Sequence, residues 1–340
     1  MPGNTELKAA AGFRKTAATF TPGAKTLPQR YFVSPQVFAE EEAKIFARHW
    51  VCVGHQSEVA KPGDYLVREV ARESLIVVRD QAQVIRGFYN VCRHRGTRIC
   101  EKSSGHAGAL QCPYHAWTYA LDGSLLGAPL METVGGFEKA DYPLHAVGLE
   151  LWEGFIFVSL GQSPMPFAET LASLAGKFCQ WNLPLLRSAK RIEYDVRANW
   201  KLIFENYSEC YHCPLVHPVL AKVSPYDSAE NDLSEGPFLG GFMKIAKGRS
   251  LTMSGNSCAL PLGKGGDEAR VFYYSIFPNL LLSMHPDYVM VHQIRPQSPE
   301  RTLILCDWLF HPAAFDRPDF NPDDAVEFWD MTNRQDWHVC

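Results

Sequence analysis

Apolar residues between Tyr65 and Leu160 come in short β-branched and aromatic runs: Tyr65 to Val70, Leu75 to Arg79, Val84 to Val91, Trp117 to Ala120 and Phe155 to Leu160. Turn residues such as Pro62-Gly63 and Asp122-Gly123 separate them. Runs of that length between turn signals predict strands, so residues 51–160 read as a small antiparallel β-domain. Ahead of it the period lengthens. Ser34 offers an N-cap with Pro35 at the first helical position, and Val37, Phe38, Ala43, Ile45, Phe46 and Trp50 predict a helix to about Trp50. Residues 1–30, rich in Ala, Thr, Gly and Pro, predict an arm ordered only by contact with something else. Residues 1–50 are thus an arm and a helix.

Beyond a Pro-containing connection at Gly161 to Pro166, the pattern alternates. A helix is predicted from Phe167 to about Trp181, a strand at Arg191 to Val196, and a second helix from Trp200 to about Tyr211. Further β-rich runs follow at Val271 to Ile276, Leu280 to Met284, Tyr288 to Ile294 and Thr302 to Phe310. Asp323 and Asp324 then open a helix carrying Glu327, Trp329 and Trp337 to the end of the chain. Antiparallel strands with a few long helices make residues 161–340 an α+β domain.

Composition narrows the class. At 340 residues and 46% hydrophobic, the chain can bury enough surface for two domains. A net charge of −4 without a dense Lys or Arg run gives no footprint for nucleic acid or an anionic membrane, which leaves small-molecule chemistry. Met1 to Lys25 lacks the apolar segment and cleavage site of a signal peptide, and apolar runs such as Leu280 to Met284 fall far short of the roughly 20 residues that span a bilayer. A cytoplasmic protein is expected. The 10 cysteines of so long a chain then read as reduced thiols and metal ligands, with Cys52, Cys179, Cys258 and Cys306 as buried small hydrophobes.

Four of the remaining polar positions form a pattern. Cys92-x-His94 is followed, seventeen residues later, by Cys112-Pro113-Tyr114-His115. Two thiolates and two imidazoles at paired spacing suit either zinc or a [2Fe–2S] cluster. A Cys2His2 zinc finger groups both cysteines first and both histidines second, whereas a Rieske cluster takes one of each from each loop, as here. The alternation favours iron and sulfur. His106 and Cys100, inside the loop without spaced partners, read as surface or packing residues.

A second set lies at Glu209, His212 and His217. Glu209 and His212 stand at i and i+3, on one face of the predicted helix, and Pro214 can end that helix so that His217 turns back toward His212. Two histidines and a carboxylate are the facial triad of non-haem Fe(II) oxygenases, which leaves positions open for dioxygen. The terminal helix offers Asp330 and Asp336 as the carboxylate, and periodicity does not choose between them.

Asn90-Val91-Cys92-Arg93-His94-Arg95-Gly96 and Cys112-Pro113-Tyr114-His115-Ala116-Trp117 closely resemble the signature of Rieske non-haem iron oxygenases, and Trp200-Lys201 and Glu205-Asn206 extend the resemblance over nearly the whole chain. It implies an all-β Rieske domain, then a helix-grip-like catalytic domain with an antiparallel sheet. It implies Cys92, His94, Cys112 and His115 as cluster ligands, and His212, His217 and Asp336 as iron ligands, because Gln335 to Cys340 resembles the start of the segment carrying the third ligand. Glu209 would sit between a cluster histidine of one subunit and His212 of the next in a head-to-tail trimer. An NAD(P)H-dependent reductase of flavin or ferredoxin type is implied as partner, with dioxygen as cosubstrate. Relatives usually continue for several tens of residues past the last ligand, so the catalytic domain is expected to lack its C-terminal end.

Aromatic-ring hydroxylases of this family usually have Asp as the bridging acid, and the branch acting on carnitine, choline and betaines often has Glu. Glu209, together with Leu27-Pro28, Gly54-His55 and Pro62-Gly63-Asp64-Tyr65, therefore resembles the quaternary ammonium branch. Expected chemistry is hydroxylation or N-demethylation of such a substrate. Aromatic-ring oxygenation, a non-catalytic Rieske electron carrier, a zinc-stabilised binding protein and an incomplete iron-binding domain without turnover are the competing readings.

Overall fold

The computed structural model describes residues 25–162, 164–262 and 269–340, so most of the expected N-terminal arm lies outside the described residues. The chain folds as two compact units, one formed by Glu40–Pro164 and the other by the preceding residues and Met165–Cys340.

Near the start, the Ser34 hydroxyl accepts from the Val37 amide at 3.4 Å and caps a helix over Pro35–Glu41. The following turn, Glu42–Phe46, widens to a π-helix and the helix stops there instead of running on to Trp50. Val51 then enters a strand.

Among the described residues of the first unit all strand pairings are antiparallel. Its strands are β1 (Val51–His55), β2 (Asp64–Val70), β3 (Glu73–Arg79), β4 (Ile85–Tyr89), β5 (Ser104–His106), β6 (Leu110–Gln111), β7 (Thr118–Tyr119), β8 (Leu125–Gly127), β9 (Gly148–Trp152) and β10 (Phe155–Ser159). They form sheets of order β1-β10-β9, β4-β3-β2-β5 and β6-β7-β8. The β2–β3 hairpin closes through Ala71 and Arg72, both at positive φ, the twist that a two-residue hairpin loop needs. Gly123 turns at φ +90 under Phe88, where any Cβ would collide with the ring. Ile76, Val78, Phe88, Leu110, Trp117, Tyr119 and Leu125 make one core that also takes in Cys92 and Cys112.

In the second unit a single seven-stranded antiparallel sheet runs in the order β11-β17-β16-β15-β14-β13-β12. Its members are β11 (Arg187–Val196), β12 (Glu230–Asn231), β13 (Phe238–Lys244), β14 (Arg270–Ile276), β15 (Leu280–Met284), β16 (Val289–Ser298) and β17 (Arg301–Phe310). The terminal helix, Asp323–Val339, buries Ala325, Val326, Phe328, Trp329, Thr332 and Asn333. Its docking on the sheet is specific: the Trp329 indole donates to Tyr288 Oη at 2.7 Å, and Trp337 meets Tyr194 edge-on at 5.9 Å.

Three expectations fail here. The stretch Phe167 to Trp181 is helical only over Phe167–Thr170 and continues as separate 3-10 turns, since Gly176 takes φ +69 and Asn182 a left-handed conformation. The helix at Trp200 ends at Tyr207, four residues early. Cys179 is exposed and Cys258 half-buried, so only Cys52 and Cys306 of the four are the buried hydrophobes expected of them.

His285 is fully buried, stacked on Tyr288 at 4.1 Å, with no hydrogen-bond partner for either ring nitrogen among the described residues. Burial holds it neutral, well below its ordinary pKa. His292 is also pushed down by burial, to about 4, against the opposing hydrogen bond to Asn333 and the Asp336 charge. Both rings are neutral in the fold and take a proton in the unfolded chain near pH 6.5, so the unfolded state binds more protons as pH falls. The contribution of these two rings should be constant above pH 7 and fall as pH drops below 6.5, by about 1.4 kcal/mol per pH unit for each ring, down to about 4 for His292. Urea unfolding at pH 7.5 and 5.5 checks this; a wild-type drop no steeper than that of His285→Phe would refute the assignment to His285.

Candidate metal centres

Two loops of the first unit are built to one plan. The Cys92 amide donates to Thr97 O at 2.8 Å and the Gly96 amide to Cys92 O at 3.0 Å. In the other loop the Cys112 amide donates to Trp117 O at 2.8 Å and the Ala116 amide to Cys112 O at 3.1 Å. The residue four past each cysteine, Gly96 or Ala116, has positive φ, which turns the chain back. Asn90, 1% exposed, secures the first loop: its Oδ1 accepts from the Ile99 and Cys100 amides at 3.0 and 2.9 Å, and its Nδ2 donates to Cys100 O at 2.7 Å.

The loops bring four side chains together and sort them by chemistry. Cys92 and Cys112 are buried side by side, and burial with the neighbouring Cys92 sulfur raises the Cys112 thiol. His94 and His115 lie at the surface with ring centroids 4.6 Å apart, and His94 stacks on Trp117 at 5.1 Å. Burial, then the adjacent His115 and Arg95, lowers the His94 pKa. Paired buried thiols with paired outward imidazoles fit a cluster whose inner iron takes sulfur and whose outer iron takes nitrogen. Tyr119 Oη lies 3.3 Å from Cys92 Sγ and accepts from the Arg93 amide at 3.0 Å, so its hydroxyl can donate to the sulfur once that sulfur is a thiolate. Cys100 is buried in the same core as Cys92 and Cys112, and His106 is a surface residue bonded to Asp64 at 2.9 Å.

The second site belongs to the sheet unit. Asn199 caps the helix Trp200–Tyr207 by accepting from the Lys201 amide at 3.1 Å. Tyr207 Oη meets Ser283 Oγ at 2.8 Å and Ser208 Oγ meets Ser275 Oγ at 3.2 Å, so β14 and β15 hold the helix end. Glu209 and His212 therefore stand on a turn and not on a helix face. Pro214 sits in the first turn of a new short helix, Cys213–Val216, and His217 follows at its C-cap. The convergence comes from the turn and not from a helix break at Pro214.

Asp336 arrives from the terminal helix. Its Oδ1 lies 2.8 Å from His217 Nε2 and 3.4 Å from His212 Nε2. On their other nitrogens, His212 Nδ1 meets Glu209 Oε1 at 2.7 Å and His217 Nδ1 meets Gln335 Oε1 at 2.8 Å. A neutral imidazole has one proton, yet each ring faces an oxygen on both sides. With Nδ1–H donated outward, each Nε2 lone pair points at the carboxylate, an arrangement a divalent cation satisfies. Without one, the Asp336 bond raises His212 against its burial, and the Glu209 bond raises it further. Burial would raise Asp336, but the hydrogen bonds and charge of both histidines hold it below the usual carboxylate range. Asp330 lies elsewhere, accepting from Tyr194 Oη at 2.8 Å and from Arg334 at 2.9 Å.

A cavity of about 610 Å³ opens on these residues, within the range of small-ligand sites. Tyr207, Tyr226, Phe242, Tyr273, Trp329 and Trp337 line it beside His212, His217 and Asp336. Sequence reasoning missed three contributors. Strand β13, whose Leu239 to Met243 line the cavity, was hidden by Gly240 and Gly241. Gln335 stood beside Asp336 without a pattern to mark it. Cys210 and Cys213 are joined as a disulfide across the turn, where reduced thiols were expected.

Residues 49–138 match the Rieske [2Fe-2S] domain family, and residues 183–340 the ring hydroxylating alpha subunit (catalytic domain) family. The glycine betaine monooxygenase oxygenase subunit of Chromohalobacter salexigens is 31% identical over 355 residues, covering 92% of this chain and 77% of that one. The chain is an alpha subunit of the Rieske oxygenase family. The carnitine monooxygenase oxygenase subunit of Escherichia coli K12 is 38% identical, but that match spans 57% of this chain and about half, 52%, of the relative. The crystal structure of the quaternary ammonium Rieske monooxygenase CntA with L-carnitine superposes at TM-score 0.78, with 28% identity over 92% of this chain and 83% of the other. Naphthalene 1,2-dioxygenase from Rhodococcus, at 24% identity and TM-score 0.78, shares the fold.

As a Rieske oxygenase the protein carries a [2Fe–2S] cluster and a mononuclear iron that reacts with dioxygen, and it works with a reductase on a small substrate. Electron carriage without catalysis and zinc-stabilised binding are set aside by this membership. No helix among the described residues is long and apolar enough to cross a membrane.

Tyr119 yields a prediction. A hydroxyl donating to a cluster sulfur stabilises the added electron, so Tyr119→Phe should lower the cluster potential by about 50 mV, the equivalent of roughly one hydrogen bond. Redox titration followed by EPR measures it; an unchanged potential would show that the proton points elsewhere.

Proposed function

We propose that this oxygenase hydroxylates a carbon next to the nitrogen of a small quaternary ammonium compound of betaine, carnitine or choline type. The observation that carries the reading is the lining of the cavity. Its described residues include Tyr207, Tyr273, Trp329 and Trp337, the acids Glu230 and Asp232, and neither Lys nor Arg. Aromatic faces attract a trimethylammonium group by about 0.5 to 2 kcal/mol per good contact, whereas an aromatic acid would find no Lys or Arg among the described lining residues to pair with its carboxylate; Asp232 and Glu230 are themselves paired with Lys177 and Lys244. The printed names of the relatives, glycine betaine and carnitine monooxygenases, support the same class. Hydroxylation at an N-methyl takes up one oxygen atom of dioxygen, two electrons and two protons and releases water; the resulting N-hydroxymethyl group then leaves as formaldehyde.

His212, His217 and Asp336 would hold the mononuclear iron, and Cys92, His94, Cys112 and His115 the cluster. When bound, the cluster supplies electrons one at a time and the iron activates dioxygen. The surrounding residues do the orienting. Glu209 and Gln335 keep the two Nδ1–H groups turned outward, so that each Nε2 stays free to ligate. The Asp336 charge offsets that of the metal in a buried site.

Glu209 has a second place in this reading. Its side chain is half exposed, and its neighbours Tyr211 and Leu215 are 88% and 92% exposed. A half-exposed carboxylate whose Oε1 meets His212 and whose Oε2 accepts from the Tyr211 amide at 2.6 Å keeps lone pairs facing solvent, which suits a partner subunit's cluster histidine and hence the head-to-tail trimer. The cytoplasm, where NAD(P)H serves a reductase, is the compartment this implies.

Metal and labile-sulfide analysis of anaerobically purified protein should give about three irons and two sulfides per chain with a Rieske EPR signal. Asp336→Ala should fall to about two irons with that signal intact, and Asp330→Ala should keep three. Zinc, or two irons in the wild type, would overturn the catalytic assignment. With reductase added, formaldehyde or hydroxylated product should appear from a betaine and not from aromatic acids; the reverse would favour ring oxygenation. Mixing Cys92→Ser subunits with Asp336→Ala subunits should restore turnover that neither has alone. No restoration in verified mixed oligomers would rule out transfer between subunits.

A further inference from the structure

The turn that carries His212 contains a second chemical feature. Cys210 and Cys213 flank it with Cα atoms 5.0 Å apart and their sulfurs joined. Both line the cavity. The Cys213 sulfur and one ring nitrogen of each of His212 and His217 all lie within 4.8 Å of one another. Backbone bonds independent of the sulfurs also hold the two cysteines close: the Cys213 amide donates to Cys210 O at 3.1 Å and the His217 amide to Cys213 O at 2.8 Å. Of the two, Cys213 is 3% exposed and Cys210 is half-buried, so Cys210 is the more accessible to a small oxidant.

We propose that Cys210 and Cys213 are a peroxide-responsive dithiol–disulfide pair built into the loop that carries the iron-ligating histidines. The inference deepens the oxygenase reading and rests on it for its oxidant. When dioxygen takes up two electrons and two protons without a substrate to oxygenate, the product is hydrogen peroxide, formed at the mouth of this pair. The Cys210 thiolate attacks one peroxide oxygen, breaking the O–O bond to give a sulfenic acid and hydroxide. The Cys213 thiol then attacks that sulfur, forming the S–S bond and releasing water, so two thiols and one peroxide give one disulfide and two waters. Closing the ring staples the turn between residues 210 and 213. Opening it returns a soft thiol donor beside two imidazoles, the ligand type that prefers zinc or copper to iron.

The other cysteines are poorly placed to compete. Burial pushes Cys100 up to about 11 and Cys340 up to about 12, and burial with the Asp287 charge pushes Cys258 up to about 12, so little thiolate is present at neutral pH. Cys179 is exposed and serves as the internal reference.

The test is a thiol map of the iron-loaded protein. Anaerobically reduced protein is treated with hydrogen peroxide, quenched with an alkylating reagent, digested and read by mass spectrometry. The linked 210–213 peptide should appear at doses that leave Cys179 modified to a roughly tenfold smaller extent, and a dithiol reductant should restore both alkylation sites under native conditions. Cys210→Ser should give no linked peptide. Because the oxidant is added from outside, the map reads the pair whatever the substrate proves to be, while failure of the oxygenase reading would show in the iron count. Thiols that stay free at doses that oxidise Cys179, or a bridge that native reductant does not open, would overturn the proposal.

Discussion

A carboxylate buried between two imidazoles is stable only if charge is matched on every side, and Asp336 imposes that condition on the whole catalytic unit. Its oxygen stands 2.8 and 3.4 Å from two histidine nitrogens, on a helix that is otherwise fixed by Trp329 and Asn333. The opposite flank of that helix is tied to β11 by the bond from Tyr194 to Asp330. Side chains of the sheet, the turn and the helix are thus all spent on holding one carboxylate in place. A buried ion without such partners would cost several kcal/mol, so the sheet, the helix and the turn are mutually required.

The cluster loops solve a different electrostatic problem. Thiols go inward, to a core with the Tyr119 hydroxyl as local donor, and imidazoles go outward, where an electron must arrive or leave. Because each loop repeats the same backbone bonds around its cysteine, the two ligand pairs are held alike. Ala116 accepts a left-handed backbone that Gly96 takes without strain, which shows how strongly the loop geometry is enforced.

Much of this was legible in the sequence where the signal was local. Paired Cys-x-His and Cys-x-x-His spacing marked the cluster loops, and β15, β17 and the terminal helix fell within a residue or two of their predicted ends. Legibility failed where distant packing decides. Apolar spacing over Phe167 to Trp181 suits a helix, yet the left-handed Gly176 and Asn182 break it into turns. β13 has two glycines at its centre and β9 has Glu150 among its apolar positions, so neither run reads as a strand until its neighbours pair with it. Choosing Asp336 over Asp330 required knowledge of related chains, because helical periodicity places both on the flanks of the same face.

His217 and Asp336 are 119 residues apart in the chain, with six of the sheet's seven strands, β12 to β17, between them, whereas the four side chains assigned to the cluster lie between Cys92 and His115. A chain emerging from the ribosome therefore finishes its sulfur-bearing unit while the other is still being made. On the ligand assignment proposed above, the helix that carries Asp336 completes the second metal pocket. Cellular delivery of the two metals would then be separated in time: the cluster residues are in place on a nascent chain, whereas the trio assigned to iron is unfinished until translation has passed Asp336.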